Sequence, residues 1–223
     1  MMLRAVLTVV LLAAAPAAAA AQACVGGALD GMGLALAATL ASNQRQRALG
    51  AELTGRADFP LWAQGSVARV DLDGLDQDLD VIAGRAGIEY RFGDVSICPG
   101  MGIEHASMDI QDPQHGSLEL SETALPFFLG VGLALVTEEN SVLTVHATPQ
   151  IFISRAVTVA LPPGAIVHTR TEENSTEFGT ALGIQLRRGR LFGGAGLQFT
   201  TVENADPLFN LQAGVVLARR RTL

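Results

Sequence analysis

At 223 residues the chain suits one domain, and its 49% hydrophobic content with a mean hydropathy of +0.33 is high for a soluble protein. It carries 22 acidic residues against 15 basic ones, all arginine, and the resulting charge of −7 argues against a nucleic-acid partner. Beyond the N-terminal leader no run of about 18 apolar residues occurs, so no helix is predicted to cross a membrane; a membrane-spanning mature chain has to be a closed barrel.

Residues 1–23 read as a cleaved secretory signal peptide. Arg4 supplies the positive charge, Ala5 to Ala15 an apolar core broken by Pro16, and Ala21-Gln22-Ala23 an A-x-A cleavage site. Cleavage after Ala23 leaves a single domain, 24–223, with a balance of 14 minus 22, or −8. A lipoprotein signal before Cys24 fits less well, because Gln22 stands where a small residue is wanted.

Period-2 alternation then dominates. Met32 to Ala41 is a first strand, closed by the polar stretch Ser42 to Arg47. Ala48 to Asp58 places Leu49, Ala51, Leu53 and Ala57 on one face and Glu52, Thr54, Arg56 and Asp58 on the other. Phe59-Pro60 turns the chain, since proline cannot serve an interior ladder. Leu61 to Val70 is the third strand, with Leu61 and Trp62 competing for the apolar face, and the acidic stretch Asp71 to Asp80 follows.

The clearest signal is the hairpin from Val81 to Met108, folded at Gly93-Asp94. One arm sets Ile82, Ile88, Tyr90 and Phe92 against Arg85, Glu89 and Arg91; the other sets Val95, Ile97, Met101 and Ile103 against Ser96, Cys98, Gly102 and Glu104. Residues 109–123 read as a long polar loop, and Leu125 to Val136 resumes with apolar residues at every second position. A Glu138-Glu139-Asn140 turn leads to Val142 through Arg155, a second long loop covers Thr158 to Ser175, and Thr176 to Arg187 follows. Arg188-Gly189 turns into Leu191 to Val202, and Glu203 to Pro207 connects to the last strand, Leu208 to Ala218.

The count is about ten strands, with eight as the alternative. From the third strand the connections alternate long and short, the asymmetry of long extracellular loops and short periplasmic turns, which puts both termini in the periplasm. One greasy face opposite a face of charges and glycines suits a strand between lipid and a polar lumen. The fold class predicted is therefore all-β, an antiparallel up-and-down transmembrane β-barrel.

The leader, the alternating strands, the inward glycines and the closing strand Asn210 to Leu217 resemble the small outer-membrane β-barrel proteins of the OmpA/OmpX-like kind. The likeness covers nearly the whole mature chain. It implies outer-membrane lipid and lipopolysaccharide as surroundings, the barrel assembly machinery as a partner, and a monomer. Two features depart from it: the chain ends Arg219-Arg220-Arg221-Thr222-Leu223 instead of on an aromatic residue, and aromatics make up only 5%.

Within such a barrel Glu52, Arg56, Asp58, Arg85, Glu89, Arg91, Glu104, Glu177 and Arg187 face inward with both signs of charge. In a narrow lumen such charges must pair, so the reading is a salt-bridged plug, with a small passive channel as the alternative. Cys24 and Cys98 fall at the same end of the barrel and are expected to form a disulfide in an exported chain. Asp71, Asp73, Asp76, Asp78 and Asp80 form a carboxylate run of the type that binds a hard cation, but the spacing of Gly74 and the missing final glutamate fail the calcium-loop pattern; a solvated acidic loop is the plainer reading.

His105 and Ser107 share the lipid-side parity of Ile103, similar to the His-x-Ser of outer-membrane lipid A deacylases. Met108 stands where that pattern has Asn, the upstream Arg-Phe is absent, and an orienting carboxylate would have to be Glu119 or Glu122. His146, among Thr144, Thr148 and Gln150, reads as a hydrogen-bonded lumen residue. No cofactor motif is present. The function expected is a non-catalytic role in the envelope; a lipid A acyl-hydrolase, a passive channel and a soluble periplasmic calyx are the rivals.

Overall fold

The structure, a computed structural model, describes residues 29, 32–57, 60–74, 77–112, 116–138, 141–161, 169–201 and 205–219. The leader, Cys24, Asp58 and Asp76 lie outside the described residues.

Eleven strand segments run in chain order: β1 (Gly33–Ser42), β2 (Gln46–Arg56), β3 (Leu61–Leu72), β4 (Asp78–Ile88), β5 (Tyr90–Phe92), β6 (Val95–Asp112), β7 (Gly116–Glu138), β8 (Ser141–Leu161), β9 (Thr169–Arg188), β10 (Leu191–Thr200) and β11 (Leu208–Arg219). β4 and β5 are two parts of one strand interrupted at Glu89, both pairing with β6, so the barrel has ten strands. Each strand pairs antiparallel with its sequence neighbour, and β1 pairs with β11 to close the ring. No strand edge then remains around the belt, which is what a barrel in lipid requires.

Alternation sets the faces as the sequence predicts. Along β7, Leu125, Phe127, Leu129, Val131, Leu133 and Leu135 stand exposed while Leu120, Glu122, Ala124 and Phe128 are buried. The outward row continues through Ile151 and Ile153 of β8, Phe178 to Leu186 of β9, and Met101 and Ile103 of β6. Its edge at the loop-bearing end is the level of Ile103, Leu125, Ile153 and Phe178. The ambiguity in β3 resolves with Trp62 inward and Leu61 outward. Gly93 and Gly189 sit in the tight turns at the opposite end with φ of +63° and +61°, a conformation that disfavours any residue with a Cβ.

The structure departs from the sequence reading in the two long polar stretches. Much of 109–123 and 158–175 is strand: β6, β7, β8 and β9 run 18, 23, 21 and 20 residues, against 10 to 12 for β1 to β4, β10 and β11. Polar composition does not break a ladder whose partners continue it, and the register of β6 with β7 runs from Val95↔Leu133 to Asp112↔Gly116. These four strands therefore rise beyond the apolar belt as a wall on one side of the barrel. Its root packs on the inner face against Leu72, Leu79 and Leu208 through Met108 and Leu120, with Ile110 and Leu118 alongside.

Candidate functional site

Three layers of side chains occupy the inside of the barrel. At the end that carries the short turns, Trp62 of β3, Phe128 of β7, Phe192 of β10 and Val216 of β11 cluster with Leu29, which precedes β1. The rings of Trp62 and Phe128 lie 5.8 Å apart between centroids, tilted by 35°. Gly100 and Gly214 make room for this layer, because a Cβ at either would run into the Phe128 or the Phe192 ring.

Beside Leu29, the Arg56 Nη1 donates to the Leu29 carbonyl at 3.2 Å and to Glu89 Oε2 at 2.6 Å, and Arg91 Nε donates to Glu89 Oε1 at 2.5 Å. The Glu89 backbone N–H donates to the Pro60 carbonyl at 2.8 Å, which carries the register of β3 with β4 one residue past Leu61↔Ile88 and fixes Glu89 beside the β2–β3 connection. Its side chain is nearly inaccessible, while that of Arg91 is 41% exposed at the mouth.

The middle layer is polar. Arg85 Nη2 donates to Glu104 Oε1 at 2.6 Å, both side chains fully enclosed, and the Arg85 guanidinium stands 5.6 Å from the centroid of the Phe128 ring. Thr54 Oγ1 donates to Glu52 at 3.1 Å. Several enclosed atoms find no hydrogen-bond partner among the described residues: Arg85 Nε and Nη1, Glu104 Oε2, Thr148 Oγ1 and both amide atoms of Gln150 in this layer, and Glu122 Oε2 nearer the loop-bearing end. Buried polar atoms are costly unless solvated, so this layer calls for water. A second apolar cluster, with Val70, Leu72, Leu79, Val81, Met108, Leu120 and Leu208, occupies the loop-bearing end.

The structure thus brings Arg85 together with Glu104, and Arg56 with Glu89 and Arg91, as opposite charges in a lumen must. Arg187 is buried on the same inner side, and Glu177 is half-buried there. Cys98 is fully buried and no free cysteine occurs among the described residues; Cys24 lies outside them. Asp71, Asp73, Asp78 and Asp80 are exposed, with Asp78 and Asp80 at 3.7 and 3.2 Å from Arg69. Among the described residues no three His, Cys, Asp or Glu side chains are grouped to hold a metal ion.

On the outer wall, His105 and Ser107 are both exposed, as parity predicts. Two residues along a strand are separated by about 6.7 Å, too far for a direct base–nucleophile pair with both side chains upright. His105 Nδ1 instead meets Thr123 Oγ1 at 3.1 Å. Glu122 lies on the inner face of the sheet, away from His105, and His105 has no hydrogen bond to a carboxylate among the described residues.

Sequence reasoning missed the aromatic layer and the inward placement of Glu122, which it weighed only as an orienting carboxylate for His105. Phe128 falls at an inward position among small residues, and its parity was the signal. Glu122 sits within the stretch read as a loop, where no facing was assigned.

No protein-family model matches the chain, and no curated protein matches it. Solved structures do. The translocator domain of the autotransporter NalP from Neisseria meningitidis aligns with a TM-score of 0.53 at 14% identity, covering 86% of this chain and 91% of that one. The β domain of the Bordetella autotransporter BrkA aligns at 0.46 and 14% identity over 85% and 100%, and the KdgM porin at 0.43 and 7% over 82% and 99%. The chain has the fold of the outer-membrane β-barrels.

Proposed function

We propose that this chain is a monomeric outer-membrane β-barrel, exported by cleavage after Ala23, with both termini in the periplasm and a non-catalytic role in the envelope. Its lumen is closed by its own side chains. The observation that carries this reading is the sequence of layers inside the barrel: an apolar cluster around Trp62 and Phe128, paired charges around Arg85 and Glu104, and a second apolar cluster around Leu72 and Leu79. The outward apolar belt supports lipid and lipopolysaccharide as its surroundings, and insertion of such a strand set calls for the barrel assembly machinery. A covalent Cys24–Cys98 tie is part of the proposal: Cys98 is buried near the turn-bearing mouth, and Cys24 is the only other cysteine of the chain. The bond of His105 to Thr123, in place of a carboxylate, favours the non-catalytic reading over a lipid A acyl-hydrolase.

The test is conductance of the purified barrel in planar bilayers, with lipid A mass analysis of the expressing strain alongside. A silent barrel and unaltered lipid A are expected. The polar atoms of the middle layer that lack partners among the described residues favour one second reading, a narrow water-filled channel. Discrete conductance steps would decide for it. Loss of an acyl chain from lipid A, abolished by Ser107→Ala, would decide for the hydrolase.

A further inference from the structure

Beyond the edge of the apolar belt, where the wall of β6 to β9 begins, four side chains form a chain across three strands on the inner face. Ser154 Oγ of β8 and Ser175 Oγ of β9 stand 2.8 Å apart. Ser175 Oγ donates to Glu177 Oε1 at 3.2 Å. At the other end Ser154 is the hydrogen-bond partner of Glu122 on β7. Glu122 lies three residues past Leu125, where the lipid-facing row of β7 starts, so it stands outside the membrane-crossing part of the strand.

The hydrogens of this chain can be counted. Glu122 to Ser154, Ser154 to Ser175 and Ser175 to Glu177 make three oxygen–oxygen links, and each link needs one hydrogen. A serine hydroxyl carries one hydrogen and an ionised carboxylate none, so the two serines supply two. Ser175 commits its hydrogen to Glu177. Ser154 can then serve Ser175 or Glu122, but not both. A hydrogen on an end carboxyl completes the set, and Glu122 is the more enclosed of the two ends: Glu122 then donates to Ser154, Ser154 to Ser175, and Ser175 to Glu177.

A second observation, independent of these bonds, points the same way. Glu122 is 4% exposed and its Oε2 has no partner among the described residues; Glu104, facing it from β6 and 2% exposed, has an Oε2 that likewise finds none among them. The charged groups around Glu122 do not neutralise it. From β6 comes Glu104, and from β9 comes Glu177. Arg85 of β4 is engaged with the other oxygen of Glu104, and Arg155 of β8 is exposed and bound to Glu172. A buried anion without a cation is expensive, whereas a neutral carboxyl that donates is not.

We propose that Glu122 is a proton-binding site: at neutral pH its carboxyl carries the hydrogen that closes the Glu122–Ser154–Ser175–Glu177 chain and clamps the root of the raised wall. Burial, outweighing the hydrogen bond with Ser154 and reinforced by Glu177 and Glu104, pushes this carboxyl up to about 8. A carboxyl held above its ordinary range stabilises the folded state fully at acidic pH, and that contribution is lost as pH rises from the ordinary carboxylate range to about 8. Above it, two carboxylates face each other across hydroxyls that are one hydrogen short, with Glu104 beside them.

Infrared spectroscopy of the full-length folded barrel, titrated from acidic to alkaline pH, tests this directly. The wild type should show the carbonyl stretch of an unionised carboxyl at neutral pH, shifting in deuterium oxide and fading through about 8. Glu122→Gln, whose amide supplies the third hydrogen, should lack that band and lose the accompanying fall in thermal stability. Should Glu122→Gln fail to fold, Ser154→Ala is read instead, and the band should change frequency because the Glu122 hydroxyl has lost its acceptor. Absence of the band in the wild type at neutral pH overturns the proposal, as does a band unchanged in either variant. A wild type without the band, stabilised at neutral pH by added sodium or calcium, overturns it in favour of a bound cation.

Discussion

Arg85 and Glu104 hold each other in an enclosed layer, and the cost of separating them differs from the cost of replacing them. Glu104→Ala leaves a buried guanidinium without its acid and is expected to destabilise the barrel by about 3–5 kcal/mol in urea unfolding. The double replacement Arg85→Met with Glu104→Leu removes both charges and should cost distinctly less; equal losses would show that the pair carries no electrostatic coupling. Phe128 is the second residue on which the interior turns, since its ring covers Gly100, touches Trp62 and lies under Arg85. Phe128→Ala should cost about 3–5 kcal/mol and raise the fluorescence response of Trp62 to an aqueous quencher. The signs of Arg85 and Glu104 and their inward parity were legible in the sequence. Their pairing depended on register, which a row of alternating residues does not fix by itself.

At the scale of the element, the alternating strands and the Gly93-Asp94 turn followed from period and turn chemistry, whereas the length of β6 to β9 did not. Residues 109–123 and 158–175 lack the apolar alternation that marks a strand against lipid, because beyond the belt there is no lipid to select for it. What keeps them in the sheet is the partner strand on either side, and composition carries no trace of that. This divides each long strand into a part that meets lipid and a part that does not. Leu129→Arg, mid-belt on β7, should destabilise the folded barrel by about 2–4 kcal/mol, while Val157→Arg, on the wall, should be nearly neutral. Equal effects in a folding titration into lipid vesicles would place the belt wrongly. The wall also has an edge: β10 pairs with β9 only as far as Thr200↔Gly179, so Thr169 to Glu177 have a strand partner on one side among the described residues. Arg170, Glu172 and Glu173 guard that edge as charges do on exposed strands. Replacing Glu172 and Glu173 together by Val should promote self-association, seen as a larger species by light scattering in detergent, with the wild type remaining monomeric.

For the whole molecule, ten strands and the inward parity of residues such as Arg85 and Glu104 were readable from the chain, because lipid outside and polar groups inside impose opposite demands on alternate residues. The two apolar layers that flank the charges were not, since an inward Phe128 or Leu79 reads in sequence as a break in the pattern and gains its meaning only when the ring closes. The closed ring of polar-inside, apolar-outside strands is the central claim, and a soluble calyx would reverse it. The most direct measurement is membrane fractionation of the expressed full-length chain, followed by electrophoresis of the same sample with and without heating. The account predicts recovery in the outer-membrane fraction and a shift in mobility between the unheated, folded barrel and the heated, unfolded chain. Recovery in the soluble periplasmic fraction, with the same mobility before and after heating, would contradict it.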